Sequence, residues 1–138
     1  MLTSWRVATK AASSDVLPFR CLSEYSELCE DVMFVDVDYR DLMVKKCAVL
    51  DEHPSLLQDC GVRHERQLEH QAILLSTAKY VAVGCDLTDT QALDSILKHQ
   101  LDASDHSLLY IAEVSMTYMG VEAANRVLQW TASFTEGL

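Results

Sequence analysis

Tyr80–Glu113, YVAVGCDLTDTQALDSILKHQLDASDHSLLYIAE, holds two short apolar runs with an amphipathic stretch between them. The first run stops at Gly84-Cys85-Asp86, and its Val and Tyr content reads as a strand buried on both faces of a parallel sheet. Thr88 and Gln91 have the spacing of a capping box, which satisfies two orphan donors at a helix start. Leu93, Ile96 and Leu97 then supply one apolar stripe, and the polar link Asp102–Ser107 leads into Leu108–Glu113. The interval is long enough for a crossover helix and a parallel return strand, right-handed by the general rule.

Working outward, Val32–Tyr39 (VMFVDVDY) is a second run of the same kind, and Leu108–Met119 (LLYIAEVSMTYM) extends the third. Each run carries an acidic residue where the strand should end: Asp38, Asp86 and Glu113. In open α/β sheets ligands bind beyond the carboxyl ends of the strands, so these three carboxylates are expected along one rim. Phe19, Leu22, Tyr25 and Leu28 predict a helix over Phe19–Glu30, and a further helix is expected from Asp41 to Leu50, stopped by Pro54. Residues 55–78 are harder to read: a short Leu56-Leu57 element closed by Gly61, a charged stretch, then apolar Ala72–Leu75. A last helix over Val121–Phe134 should turn Ala124, Val127, Leu128, Thr131 and Phe134 inward. The order β-α-β-α-β-α is that of a layered α/β fold.

With 138 residues, 49% of them hydrophobic, the chain is expected to form one domain with a real core. No apolar run approaches the ~20 residues that span a bilayer, and the N-terminus MLTSWRVATKAASSD lacks the apolar centre of a secretory signal. A cytoplasmic location is expected, with a mitochondrial one the minor alternative suggested by Arg6 and Lys10. Five scattered cysteines without a CxxC pair read as reduced thiols. His64 and His70 do not have the spacing of two ligands on one helix face, so no metal is expected. The net charge of −10 repels phosphate backbones and anionic membranes.

On residues alone, several chemistries remain open. A carboxylate at the second strand's tip can accept from ribose hydroxyls. Asp36 and Asp38 in MFVDVDYR also imitate the Asp-x-Asp loop of Mg²⁺-dependent haloacid-dehalogenase-type phosphatases, with Asp36 as nucleophile. An Asp-x-Asp metal site of the sugar-nucleotide transferase kind is a third reading, and solvated strand-end carboxylates without a ligand are a fourth.

The blocks VDVDYRDLMVKK (35–46), KYVAVGCDLTD (79–89) and IAEVSMTYMGVEAANRVLQWTASF (111–134) resemble consecutive segments of the leucine carboxyl methyltransferase family. The resemblance covers about residues 17–134 and implies a partial Rossmann-like class I methyltransferase sheet flanked by helices, using S-adenosylmethionine to methylate a carboxyl group. Within the family the chain looks most like the branch that acts on phenylalanine tRNA in wybutosine synthesis, adding a carboxyl methyl and a methoxycarbonyl group. The sibling activity is methylation of the C-terminal leucine of a protein phosphatase. By the resemblance Asp38 holds the cofactor ribose, Asp86 and Leu87 frame the adenine, Glu113 lies near the methionine part, and Tyr118 lines the substrate pocket. The tRNA would be gripped from outside this acidic segment.

The pattern also departs from the family. Ala11-Ala12-Ser13-Ser14 stands where the family has a glycine-rich turn, and no glycine precedes Gly61. Such a turn approaches its ligand closely, where a Cβ intrudes. Arg40 replaces the usual proline, and the family's upstream Arg and Lys have no counterpart. The expectation is one truncated methyltransferase domain over residues 1–138, weak or inactive by itself, with a non-catalytic interaction module as the alternative. Trp5–Thr9 is expected to serve as the first strand, between those ending at Asp38 and Glu113, because those two would otherwise lack a partner.

Overall fold

The computed structural model describes residues 4–10, 17–64, 71–100, 106–112 and 115–136. Strand β1 is Ser4–Lys10. Helix α1 (Leu17–Glu24) and a 3-10 turn (Ser26–Cys29) lead into β2 (Met33–Asp38). Then come α2 (Arg40–Glu52), a 3-10 segment (Pro54–Cys60), β3 (Ile73–Ser76) and β4 (Tyr80–Gly84). Helix α3 (Thr90–Gln100), β5 (His106–Ala112), a 3-10 turn (Ser115–Tyr118) and α4 (Val121–Glu136) complete the order.

The five strands form one mixed sheet in the order β3-β4-β2-β1-β5. β1 lies parallel between β2 and β5, pairing Thr9 with Asp36 and Lys10 with Ala112, the place expected for Trp5–Thr9. β2 pairs parallel with β4, ending in the couple Asp38–Gly84. β3 is an antiparallel edge strand on β4, which apolarity alone did not distinguish from a buried helix segment. Its hairpin is closed by Thr77, whose hydroxyl donates to the Tyr80 carbonyl and accepts from the Tyr80 N–H.

Strand alternation divides the core. Phe34, Tyr80 and Ala82 face α1 and α2 in a cluster with Phe19, Leu22, Met43 and Leu50. Val35, Val37, Val81 and Val83 face the opposite side, with Leu93, Ile96 and Leu97 of α3 and Phe134 of α4. β2 and β4 are buried on both faces because each face carries its own core.

Four expectations are corrected. The single helix over 19–30 breaks at Tyr25, which is non-helical, because Tyr25 and Leu28 are exposed and gain no burial from continuing the helix. The cap of α3 is Asp89, whose Oδ1 accepts from the Ala92 N–H at 3.0 Å, while Thr88 is engaged by Asp86. Asp is at least as good an N-cap as Thr, and it stands one residue closer to the helix. Leu128 is 57% exposed, since the buried stripe of α4 runs through Val127 and Phe134 instead. β5 is an edge strand among the described residues, with Leu109 half-exposed, so it is not covered on both faces.

Gly61 closes the 3-10 segment at φ 79°, and a Cβ there would meet the Ala78 Cβ at 2.9 Å. Backbone bonds from Lys79 N–H to the Cys60 carbonyl and from Ala78 N–H to the Val62 carbonyl fasten this segment to the hairpin. No helix of the described residues is long and apolar enough to cross a membrane.

Burial pushes the thiols of Cys47 and Cys60 from the ordinary 9.0 up to about 11. Unfolded thiols lose their proton near the ordinary value while the folded ones keep theirs, so the unfolded state binds fewer protons as pH rises between those limits. Stability therefore falls across that window and is unaffected by these groups below it. The urea midpoint should drop between about pH 8 and about pH 10.5; an unchanged midpoint would contradict the burial of both thiols.

Candidate functional site

Asp38 ends β2 and is 7% exposed, with the α2 N-terminus immediately after it. Its Oδ1 accepts from the Tyr39 N–H at 2.7 Å, which fixes the carboxylate at the positive end of that helix. One strand over, the Cys85 N–H donates to the Asp38 carbonyl at 2.8 Å. This bond ties the tip of β2 to the loop holding Asp86 and Leu87. Asp86 is exposed, and its Oδ1 accepts from both the N–H and the hydroxyl of Thr88, at 2.8 and 2.9 Å. Leu87 is half-buried beside it.

Two further contacts shape this rim. The Gly84 N–H donates to the Ala72 carbonyl, and Arg40 Nη1 donates to the Gln71 carbonyl at 2.6 Å. A Cβ on Gly84 would stand 3.0 Å from Arg40 Cα, so glycine lets the start of α2 lie directly on β4. Arg40 occupies the first helical position, where proline is tolerated because the N–H needs no partner in the helix. The Arg40 side chain links the start of α2 to the segment before β3.

The fold thus brings together Asp38, Asp86 and Leu87. Glu113 lies outside the described residues. Tyr118 is 82% exposed on the 3-10 turn after β5 and does not line the nearby cavity; Met116 of the same turn does. Asp36 faces the same side of the sheet as Asp38 but is fully buried. Its Oδ2 accepts from Lys46 Nζ and from the Tyr80 hydroxyl, and Oδ1 has no hydrogen-bond partner among the described residues. Lys46 also lies over the rings of Phe19 and Tyr80, 5.8 and 5.9 Å from their centroids. Burial and the Asp36 charge hold the Tyr80 hydroxyl well above its ordinary range. A carboxylate enclosed in this way cannot reach a phosphate, so the Asp-x-Asp phosphatase reading, with Asp36 as nucleophile, is overturned. No group of three metal-ligating side chains is present among the described residues.

A partly open cavity of about 60 Å³ lies on the other face of the sheet, between α3 and α4. Leu87, Ala112 and Met116 form its rim end, and Leu93, Leu97, Tyr110, Val127 and Trp130 its depth. Trp130 meets Tyr110 edge-on at 6.0 Å between centroids and Phe134 at 5.3 Å. Neither the Asp36 network nor this cavity was foreseen from the sequence. The only advance signal was the aromatic pair Trp130 and Phe134 one turn apart on α4.

The family model for leucine carboxyl methyltransferase matches residues 10–132. The tRNA wybutosine-synthesizing protein 4 of Aspergillus fumigatus is 42% identical over 121 residues, 86% of this chain and 11% of that protein. The protein of the same name from Gibberella zeae is 39% identical over 129 residues, 91% of this chain and 12% of its own length. The Saccharomyces cerevisiae protein is 29% identical over 125 residues, 86% of this chain and 18% of its own length. The chain therefore spans about a tenth to a fifth of these relatives. With the matched segment running from the end of β1 into α4 and including both loops of the rim, the chain belongs to the leucine carboxyl methyltransferase family.

Proposed function

We propose that this chain is the adenosine-binding part of a cytoplasmic, S-adenosylmethionine-dependent carboxyl methyltransferase of tRNA wybutosine synthesis, built on a Rossmann-like sheet. The observation that carries the reading is the joining of the Asp38 and Asp86 loops on one rim by the bond from the Cys85 N–H to the Asp38 carbonyl. The relatives' shared name favours a tRNA substrate over a protein's C-terminal leucine.

The residues present suit an adenosine. A carboxylate offers about four acceptor sites, so Asp38 can take ribose hydroxyls while still accepting from Tyr39. The turn with Thr88 pins Asp86 and leaves its Oδ2 outside that turn, where it can accept from an amino group. Leu87 supplies an apolar surface for a ring. When bound, S-adenosylmethionine supplies an electrophilic methyl group; the rim's task is to hold the adenosine end so that this group faces a substrate carboxylate. Methoxycarbonylation and the recognition of phenylalanine tRNA belong to the longer protein. At −10 the segment repels the tRNA backbone.

Calorimetric titration with S-adenosylhomocysteine tests this. Removing a charge-assisted hydrogen bond costs about 1.5–3 kcal/mol. Asp38→Ala should therefore weaken binding roughly 10- to 150-fold; equal affinity in both proteins would reject the reading. Glu113 keeps its sequence-based role as a proposal. In a longer protein carrying this segment, Glu113→Ala should abolish cofactor binding and change stability by no more than about 0.5 kcal/mol. Unfolding of the domain, with unaltered affinity in the fraction that stays folded, would make Glu113 a structural carboxylate instead.

A further inference from the structure

The apolar series Phe19, Leu22, Tyr25 and Leu28 runs on past the point where its burial stops. Phe19 and Leu22 lie in the core, whereas Tyr25 is 56% exposed and Leu28 is 79% exposed on the 3-10 turn before β2. Val62, just beyond the Pro54–Cys60 segment, is 76% exposed, and Leu56 within that segment is exposed as well.

These residues share one end of the molecule. Helix α1 packs on the Pro54–Cys60 segment. Lys79 ties the two together, its Nζ donating to the Cys29 carbonyl at 3.2 Å and its N–H to the Cys60 carbonyl at 2.9 Å. Leu28 and Val62 are each within two residues of this tie, at the end of the sheet where β2 and β4 begin and opposite the rim of Asp38 and Asp86. Single exposed apolar side chains are ordinary, but a group of them on segments fastened to one another marks an interaction surface. The turn at Gly61 and the bond from the Ala78 N–H to the Val62 carbonyl hold the surface in place, so docking has little chain to order.

Charge selects the partner. Glu27, Glu30 and Asp59 are exposed on the same segments. The ion pairs of this region among the described residues are Arg20–Glu24 and Arg63–Asp51, and neither uses those three carboxylates. The Lys79 ammonium is given to the Cys29 carbonyl. Carboxylates here repel a nucleic-acid backbone and an anionic membrane. A second copy would set the same carboxylates against one another, on a chain already at −10. A cationic segment with one apolar face satisfies the exposed apolar side chains and the carboxylates together, and the helix is the form in which such a segment docks on a flat apolar surface.

We infer that this end of the molecule docks a basic amphipathic helix of a partner protein. Its apolar face covers Tyr25, Leu28 and Val62, and its Lys or Arg side chains lie beside Glu27, Glu30 and Asp59. The surface is remote from the rim and does not rest on the cofactor reading.

The probe is a fluorescein-labelled peptide of about 18 residues, five turns of helix, with leucine along one face and lysine elsewhere. It is titrated into the chain in about 0.15 M salt, where charges more than ~8 Å apart are largely screened. Saturable binding of one peptide per chain is expected, and a peptide with glutamate for every lysine should not bind. Leu28→Ser and Val62→Ser should each weaken binding about tenfold, and Glu27→Lys about threefold. The same chemical changes on α4, Leu128→Ser and Glu122→Lys, should each alter it by less than about twofold. All five positions are exposed, so the comparison is between folded chains. The proposal is overturned if the lysine peptide does not saturate, if the glutamate peptide binds equally, or if the α4 changes weaken binding as much as the others. It is also overturned if sedimentation shows the chain pairing with itself and Leu28→Ser abolishes that pairing, which would give the surface to a second copy.

Discussion

Lys46→Met should destabilise the fold by about 3–5 kcal/mol, the cost of leaving a buried charge without its counter-ion. Asp36 has no solvent exposure, and Lys46 Nζ and the Tyr80 hydroxyl are the two donors to its Oδ2. With the ammonium gone, one phenolic hydrogen bond must support a carboxylate whose Oδ1 is already without a partner among the described residues. The pair also fastens α2 to β2, so its loss loosens the helix that begins beside Asp38. The compensating triple change, Asp36→Leu and Tyr80→Phe with Lys46→Met, should recover most of the lost stability, because a packed apolar cluster carries no desolvation penalty and leaves no phenol without its acceptor. Urea denaturation measures both. A cost below about 1 kcal/mol for Lys46→Met would place the pair with surface ion pairs and remove it from the core.

Gly84→Val has the second large effect. The added Cβ would stand 3.0 Å from Arg40 Cα, 3.2 Å from Arg40 Cγ and 3.2 Å from Leu74 Cδ1, before its two methyls are placed. One of these neighbours is backbone, so relief requires the start of α2 to move off β4. Overpacking of this kind costs about 1–3 kcal/mol. The larger consequence is functional, since the same movement separates the Asp38 and Asp86 loops and should weaken S-adenosylhomocysteine binding in the fraction that remains folded. Gly120→Ala is the control: nothing lies within 4 Å of its added Cβ, and stability should change by no more than about 0.5 kcal/mol. Equal effects of the two changes would show that the contact between α2 and β4 is not tight.

The elements that sequence reading located well are those whose apolar pattern has one interpretation. β2 and β4 are short, buried on both faces and ended by acidic loops, and the two pair parallel inside the sheet. The place of β1 followed from the need to pair the strands on either side of it. Where the outcome depended on tertiary partners, the sequence was ambiguous. Tyr25 and Leu28 continue a helical spacing but find nothing to pack against. Leu128 and Val127 are adjacent in sequence, and only the direction of α4 decides which of them is buried. Thr88 and Asp89 compete for one cap, and the competition turned on Asp86 engaging Thr88 first. At the site, Asp38 and Asp86 were legible because strand ends are marked in sequence. The Asp36–Lys46–Tyr80 network was not, because it links a strand, a helix and a second strand with no fixed spacing.

The central claim, that the carboxylate at the tip of β2 takes the ribose of an adenosine ligand, is tested most directly by a cycle pairing two proteins with two ligands. S-adenosylhomocysteine and its 2′,3′-dideoxy analogue are each titrated into the wild-type chain and into Asp38→Ala. Loss of the ribose hydroxyls should cost the wild type roughly 10- to 150-fold in affinity and cost Asp38→Ala almost nothing further. Losses that simply add, so that the variant is as sensitive to the missing hydroxyls as the wild type, would show that Asp38 does not contact the ribose.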